Sequence, residues 1–343
     1  MTDTSPPRPT RLVDVAALAG VSPSTASKAL NDTGSLTTET RDRVREAAEK
    51  LGFVPHAGAQ SMHGGRTFTV GLLSSDTVGR FSLPVVLGAE NALLAGQISA
   101  LLATARHDPI REQHHIRSLI SRRVDGIIVT GRTAEPRESI GTSVPVVYAF
   151  APSAVDGDTS VVGDDWNGMA QVVDHLRSIG RRRLTFVGGR GDQFSSRIRH
   201  EATLAAAETH GLSMVGGPQH GEWSERWGRH AVDALIGDGL LQAGDPDSVD
   251  AVVFASDQLA RGGTDRLREL GLEVPGDVAV TGYDDWQVMS LASRPPLTTV
   301  DMELEEIGRR SVELLLQAVD GESSPGVHQV RPRLVPREST LGR

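Results

Sequence analysis

The chain has 343 residues, no cysteine, and 44 acidic against 35 basic side chains. That length suits two or three domains whose cores need no staple, and the missing cysteines exclude a disulfide framework, a thiolate-held metal and a cysteine nucleophile. A net charge of −9 speaks against a protein that coats nucleic acid over its whole surface.

The charge is uneven. Residues 1–66 carry eight Lys/Arg and seven Asp/Glu, whereas the remainder carries 27 and 37. A near-neutral head on an acidic body is compatible with a small module that meets an anionic partner. The longest mostly apolar stretch, residues 144–155, is broken by Pro145 and Pro152, so no membrane span is expected. The first eleven residues hold no apolar secretory core, and a cytoplasmic location is the expectation.

Residues 1–10, with three prolines, read as a disordered leader. Residues 11–54 are Ala-rich with helical spacing and predict helices over about 12–19, 23–31 and 38–51. Gly20 stops the first. Ser22 followed by Pro23 starts the second, and Thr37 or Thr38 caps the third, with Glu39 in its first turn.

Residues 55–66 form a hinge that admits two readings. With two glycines and few large apolar residues it reads as a flexible linker. Its lone large apolar side chain, Met62, also suits a short helix that orders on DNA and wedges between base steps.

From residue 67 strand-length apolar runs alternate with helical patterns. Strands are expected near 68–74, 98–104, 125–130, 145–150, 159–163, 183–188, 218–222, 250–255 and 277–282. Helices are expected near 82–95, 110–122, 134–141, 167–179, 196–210, 224–240 and 257–270. A strand near 297–300, a helix over 303–319 and a strand near 328–335 close the chain. Repeated strand–helix units argue for parallel sheets covered on both faces. Some eleven strands are too many for one compact sheet. The expectation is a multi-domain chain: a small all-α head, then two doubly wound α/β lobes with chain crossovers. The first lobe takes about 67–163 and 292–320, the second about 164–291 and 321–343.

The most specific signal lies in the head. A helix-turn-helix needs a small residue where its helices cross, met by Ala16, and one tolerating positive φ in the turn, met by Gly20. Val21, Ala26 and Leu30 give the second helix an apolar face, leaving Ser24, Thr25, Ser27, Lys28 and Asn31 on the other. The same pattern also fits an ordinary helical hairpin, but fewer of its positions then have a reason.

Enzyme motifs fail. Residues 189–194 place Phe194 where a dinucleotide fingerprint needs its third glycine. His200 and Glu201 lack a histidine at position 204, and neither a phosphate loop nor a nucleophile elbow occurs. His114 and His115 read as solvated, and no metal or cofactor is expected. Asp76, Asp164, Asp257, Asp284 and Asp285 follow strands at their carboxyl ends, where ligands bind in open α/β sheets. Without a histidine cluster they suit hydroxyl recognition, or, position by position, simple helix capping.

These residues resemble the LacI/GalR bacterial transcription regulators over nearly the whole chain. The resemblance rests on Val15, Ala16, Ala19, Gly20, Val21, Ser22, Thr25, Ser27, Lys28, Leu30 and Asn31. It extends through Thr40, Arg41, Arg43 and Val44, the run 51–55, Thr281 to Asp285, the run 295–300 and Arg337 to Thr340. It implies a homodimer on a near-palindromic double-stranded DNA site, and a dimer rather than a tetramer because the final residues hold no leucine heptad. Pro23, Ser24 and Lys28 match its base-reading positions, and Thr25, Ser27 and Asn31 its phosphate contacts. Lys28 replaces the commoner arginine and loses the bidentate fork. His56, Ala59 and Met62 fall on its hinge helix.

The resemblance also implies a small-molecule effector, a sugar by preference, between the lobes. Arg199, in the run beginning at Ser195, matches a ligand-gripping arginine. Asp284 matches a facing carboxylate, and Trp223 an aromatic wall. Ser256 and Asp257 stand where relatives write Asn-Asp; Phe150 and Gly163 also depart from the pattern. Phe81, Ser82 and Met302 complete the expected set. The alternatives are a transporter's extracytoplasmic sugar-binding protein, an α/β enzyme, or a purine-type corepressor-dependent repressor within the same family.

Overall fold

The computed structural model describes residues 10–53, 66–76 and 79–342. They fall into a head unit, which runs to Thr69 and includes Arg123–Asp125, and a larger body.

The head holds α1 (Leu12–Ala19), α2 (Pro23–Leu30) and α3 (Thr38–Lys50). Gly20 ends α1 at φ 66°, a left-handed cap that lets the N–H of Gly20 and of Val21 close on the Ala17 and Ala16 carbonyls. Ser22 caps α2 by accepting from the Thr25 N–H at 3.1 Å, and Thr37 does the same for α3 from Thr40 at 3.3 Å. The buried core is Val15, Ala16, Ala19, Ala26, Ala29, Val44, Ala47 and Ala48. Alanines let three short helices cross closely, but they remove little apolar surface from water.

The body holds two parallel sheets. The first contains β1 (Thr69–Ser74), β2 (Ser99–Thr104), β3 (Gly126–Thr130), β4 (Val146–Ala149) and β5 (Thr159–Gly163). Helices α4 (Ser82–Ala95) and α5 (Pro109–Ser121) connect the early strands. Then α6 (Asp165–Ser178) opens the second lobe, whose sheet contains β6 (Arg183–Gly188), β7 (Ser213–Met214), β8 (Gln219–His220), β9 (Ala251–Phe254) and β10 (Ala279–Thr281). Its helices are α7 (Phe194–Thr209), α8 (Glu225–Gly237), α9 (Asp257–Glu269) and the short α10 (Gln287–Ser290). The chain returns through β11 (Thr299–Asp301) to α11 (Leu304–Val319) and β12 (Gly326–Val330). It ends with β13 (Arg333–Val335) and α12 (Glu338–Leu341).

In the first sheet the strand order is β12, β5, β4, β3, β1, β2; in the second it is β10, β9, β6, β7, with β8 also on β6. Central strands are buried on both faces, as β3 and β9 are throughout, which is why they read as unbroken apolar runs. Helix α11 lies on α4 so closely that a Cβ on Gly88 would stand 1.9 Å from the Glu305 carbonyl oxygen, and one on Gly308 2.0 Å from that of Val85.

Three expectations are corrected. Residues 134–141 form no helix: Pro136 interrupts the pattern, Arg137 bridges to Ser153, and the Ile140 N–H donates to the Tyr148 hydroxyl at 2.8 Å. Residues 326–330 pair in parallel with β5, so they belong to the first lobe rather than the second. The single strand expected over 328–335 is two strands, because Pro332 separates β12 from β13. β13 instead pairs antiparallel with β11, and these two segments carry the chain between the lobes.

Candidate functional site

Two surfaces carry the residues singled out from sequence. On the head, Pro23, Ser24, Lys28 and Asn31 are exposed along one side of α2, with Thr25 and Ser27 half-buried beside them. Ser27 receives a long hydrogen bond from Asn31 Nδ2 at 3.4 Å. Asp32 is flanked by Arg41 at 3.0 Å and Arg45 at 2.7 Å, an exposed cluster beyond the end of α2. His56, Ala59 and Met62 lie outside the described residues.

In the body a cavity of about 550 Å³ opens between the lobes. Of the ten expected residues, Phe81, Phe150, Ser195, Arg199, Trp223, Ser256 and Asp284 line it. Strand ends place them. Phe150 follows β4, Ser256 follows β9, and Asp284 follows β10, while Arg199 sits on the second turn of α7. Phe150 at φ 75° and Asp284 at φ 110° hold backbone conformations rare for residues with a side chain, a strain that clusters at functional sites.

Arg199 is the most constrained side chain in the wall. It is 4% exposed. Its Nε donates to Asp165 at 3.0 Å, and its Nη1 donates to the Ala255 carbonyl at 2.8 Å and to Asp284 at 3.4 Å. Its guanidinium lies 3.7 Å from the centre of the Tyr283 ring. Burial works against the positive charge, but Asp165, Tyr283 and Asp284 outweigh it and hold the Arg199 pKa above the ordinary arginine value. Burial raises the Asp284 carboxyl above its usual range, with Arg80 and Arg199 pulling the other way.

Trp223, from the same lobe, also lines the cavity. Its indole covers Gly189, where a Cβ would come within 2.0 Å of the ring, and its Nε1 donates to Gln193 Oε1. The indole is thereby held in place in the cavity wall. Phe81 and Phe150 stack with each other at 5.0 Å.

Three expected residues do not line the cavity. Ser82 is buried and donates to Asp76 Oδ2 at 2.9 Å. Met302 is packed into the main core. Asp257 is fully buried: it accepts from the Trp286 N–H at 2.7 Å and from the Thr299 hydroxyl at 2.5 Å. It therefore shapes the loop that carries Asp284 and Trp286. Burial first, then the nearby Asp284, pushes its pKa well above the usual carboxylate range. Asp164 is a helix cap, accepting from the Asn167 N–H at 3.0 Å.

Sequence reasoning missed Arg80, Glu135, Gln193 and Trp286, all of which line the cavity. Arg80 reaches from the first lobe to Asp284 of the second. Glu135 accepts from the Phe194 N–H, at the start of α7, at 2.6 Å. Gln193 and Trp286 adjoin residues already marked, so strand-end position was the available signal. Arg80 adjoins the marked Phe81 in the same way, and for Glu135 local sequence offered no signal.

Comparison with known proteins matches residues 11–56 to the model for bacterial regulatory proteins of the lacI family, and residues 173–340 to a periplasmic binding protein-like domain. The chain is 33% identical to the HTH-type transcriptional regulator CelR of Thermobifida fusca over 347 residues, covering 97% of this chain and 98% of the relative. It superposes on the lac repressor dimer bound to operator and the anti-inducer ONPF with a TM-score of 0.77 at 24% identity, covering 97% and 99% of the two chains. Against the transcriptional regulator CelR–cellobiose complex the TM-score is 0.64 at 30% identity, covering 97% and 100%.

Proposed function

The chain belongs to the lacI family of bacterial regulatory proteins and is a ligand-responsive DNA-binding transcription regulator, and on that premise we propose a repressor whose operator affinity is set by a neutral sugar held between the lobes. The observation that carries the sugar is the pairing of Arg199 and Asp284 on one side of the cavity with the indole of Trp223 on another. A guanidinium–carboxylate pair offers donors and acceptors to vicinal hydroxyls, and an indole face packs on the apolar face of a pyranose. The cavity volume suits a small ligand, and cellobiose in the CelR complex is a ligand of this kind.

On DNA, α2 lies in the major groove. Lys28 and Ser24 face base edges, Pro23 makes apolar contact, and Thr25, Ser27 and Asn31 hold phosphates. His56, Ala59 and Met62 occupy the adjoining minor groove. The active species is a homodimer, supported by Leu83, Leu87 and Leu94, which stand exposed along one face of α4. The protein works in the cytoplasm and catalyses nothing. No helix among the described residues is long and apolar enough to cross a membrane.

Two measurements test this. A salt titration of binding to a selected near-palindromic duplex should fall steeply as counterions are recaptured; a flat response defeats the DNA assignment. A thermal-shift screen of sugars and purines against wild type and Arg199→Ala should find a stabilising sugar whose effect Arg199→Ala abolishes. A purine as the sole stabiliser reverses the effector assignment.

A further inference from the structure

The surroundings of Arg80 are not explained by a role as one more wall residue. Its guanidinium stacks 4.6 Å from the centre of the Phe81 ring and 4.2 Å from that of Trp286. Its Nη2 pairs with Asp284. Phe81 belongs to the first lobe, and Trp286 and Asp284 to the second, so one side chain ties the lobes together across the cavity. A planar group between two rings, with donors turned to a carboxylate, copies what a pyranose offers: a flat apolar face and hydroxyl donors at its edge.

The tie is also incomplete. Among the described residues, Arg80 Nε is buried and finds no hydrogen-bond partner. Arg199 differs: its Nε is satisfied by Asp165. A buried donor left unmade weakens the arrangement that buries it. Arg80 is therefore placed where a ligand binds, and held there less firmly than the arginine behind it.

We propose that Arg80 is the residue that sets effector selectivity, by acting as a resident occupant of the slot formed by Phe81, Trp286 and Asp284. An effector enters that slot only by displacing the guanidinium, so it must supply both a stacking face and a donor for Asp284. A ligand with only one of these leaves Arg80 in place. The inference rests on the reading of this cavity as the effector site, and the two are separated as follows.

The substitution is Arg80→Met, which keeps the length and apolar stem but removes charge, planarity and donors. Without any ligand, spin labels on exposed positions of the two lobes report the interlobe distance by pulsed electron resonance. Loss of the tie should broaden the distribution or shift it to longer distances in Arg80→Met and in Asp284→Asn. A distribution identical to wild type in both variants overturns the proposal, whatever binds. Calorimetric titration then uses cellobiose, lactose and ribose as probes. Arg80→Met should bind at least one of them about tenfold more tightly than wild type, and should narrow the differences among the three. Weaker binding in Arg80→Met makes Arg80 a ligand contact and overturns the competitor role. If no probe binds either protein, the sugar reading fails, and the ligand-free distances still decide the tie.

Discussion

The two lobes share a construction and differ in what they bring to the cleft. Each presses a helix pair together through glycines. In the first lobe these are Gly88 and Gly308; in the second a Cβ on Gly228 would lie 2.1 Å from the Leu259 carbonyl oxygen, and one on Gly262 2.0 Å from that of Glu225. At the cleft the likeness ends. The second lobe presents Arg199 and Asp284, buried, bonded to each other and backed by Asp165, Tyr283 and the Ala255 carbonyl. Beside its aromatic pair, the first lobe presents Arg80 and Glu135, half-buried at the rim and turned toward the other lobe. A preset polar array on one side and a movable cover on the other is the arrangement expected when one lobe reads a ligand and the other closes on it.

Breaking the array should have the largest effect. Arg199→Ala leaves Asp165 buried without its cation and Asp284 with Arg80 alone, and should cost about 3–5 kcal/mol, measured by denaturant unfolding. An equal loss with Arg199→Lys would locate the stabilisation in guanidinium geometry rather than charge. Next come the helix pairs. Gly88→Val and Gly228→Val each force backbones apart and should cost about 2–3 kcal/mol, each lowering the transition of its own lobe. A variant as stable as wild type would mean that the helices slide without penalty. On the first lobe, Arg137→Ala removes a partly exposed pair with Glu112 at 2.7 Å and should cost no more than about 1 kcal/mol. A loss as large as that at Arg199 would erase the contrast between the lobes.

The smallest expected effect depends on pH. His175, on α6, bonds the Thr340 hydroxyl at 2.8 Å. Burial lowers its pKa below 6.5, against the pull of Asp174. A lowered folded-state pKa means that the unfolded chain takes up the proton first, so this contribution is intact above pH 6.5 and is lost as pH falls from there through the folded value. The fall in stability below pH 6.5 should be shallower in His175→Gln. An unchanged slope would assign it to other groups.

What could be read in advance follows from the range of the interactions. The helix-turn-helix was legible because Ala16, Gly20 and Ser22 settle cap, turn and crossing within one short segment. Cleft residues were legible as a class, since the carboxyl ends of parallel strands gather on one edge. Their individual roles were not. Asp257 and Asp284 follow neighbouring strands, yet the Thr299 hydroxyl and the Trp286 N–H, both distant in sequence, claim the Asp257 carboxylate and take it out of the cavity. The helix expected over 134–141 failed because period outweighed Pro136. Strand β12 reads as part of the second lobe because its partner β5 lies more than 160 residues earlier.

The ribbon of β11 and β13 has a mechanical consequence. Its register joins Thr299 to Val335, Val300 to Leu334 and Asp301 to Arg333, and α6 adds a clasp, Gln171 accepting from the Leu334 N–H at 3.1 Å and donating to the Pro332 carbonyl at 2.9 Å. A paired ribbon resists slippage, because a one-residue slip turns every side chain to the opposite face. The two crossings therefore act as one strap rather than as two independent links, and a load placed on either strand is shared by both.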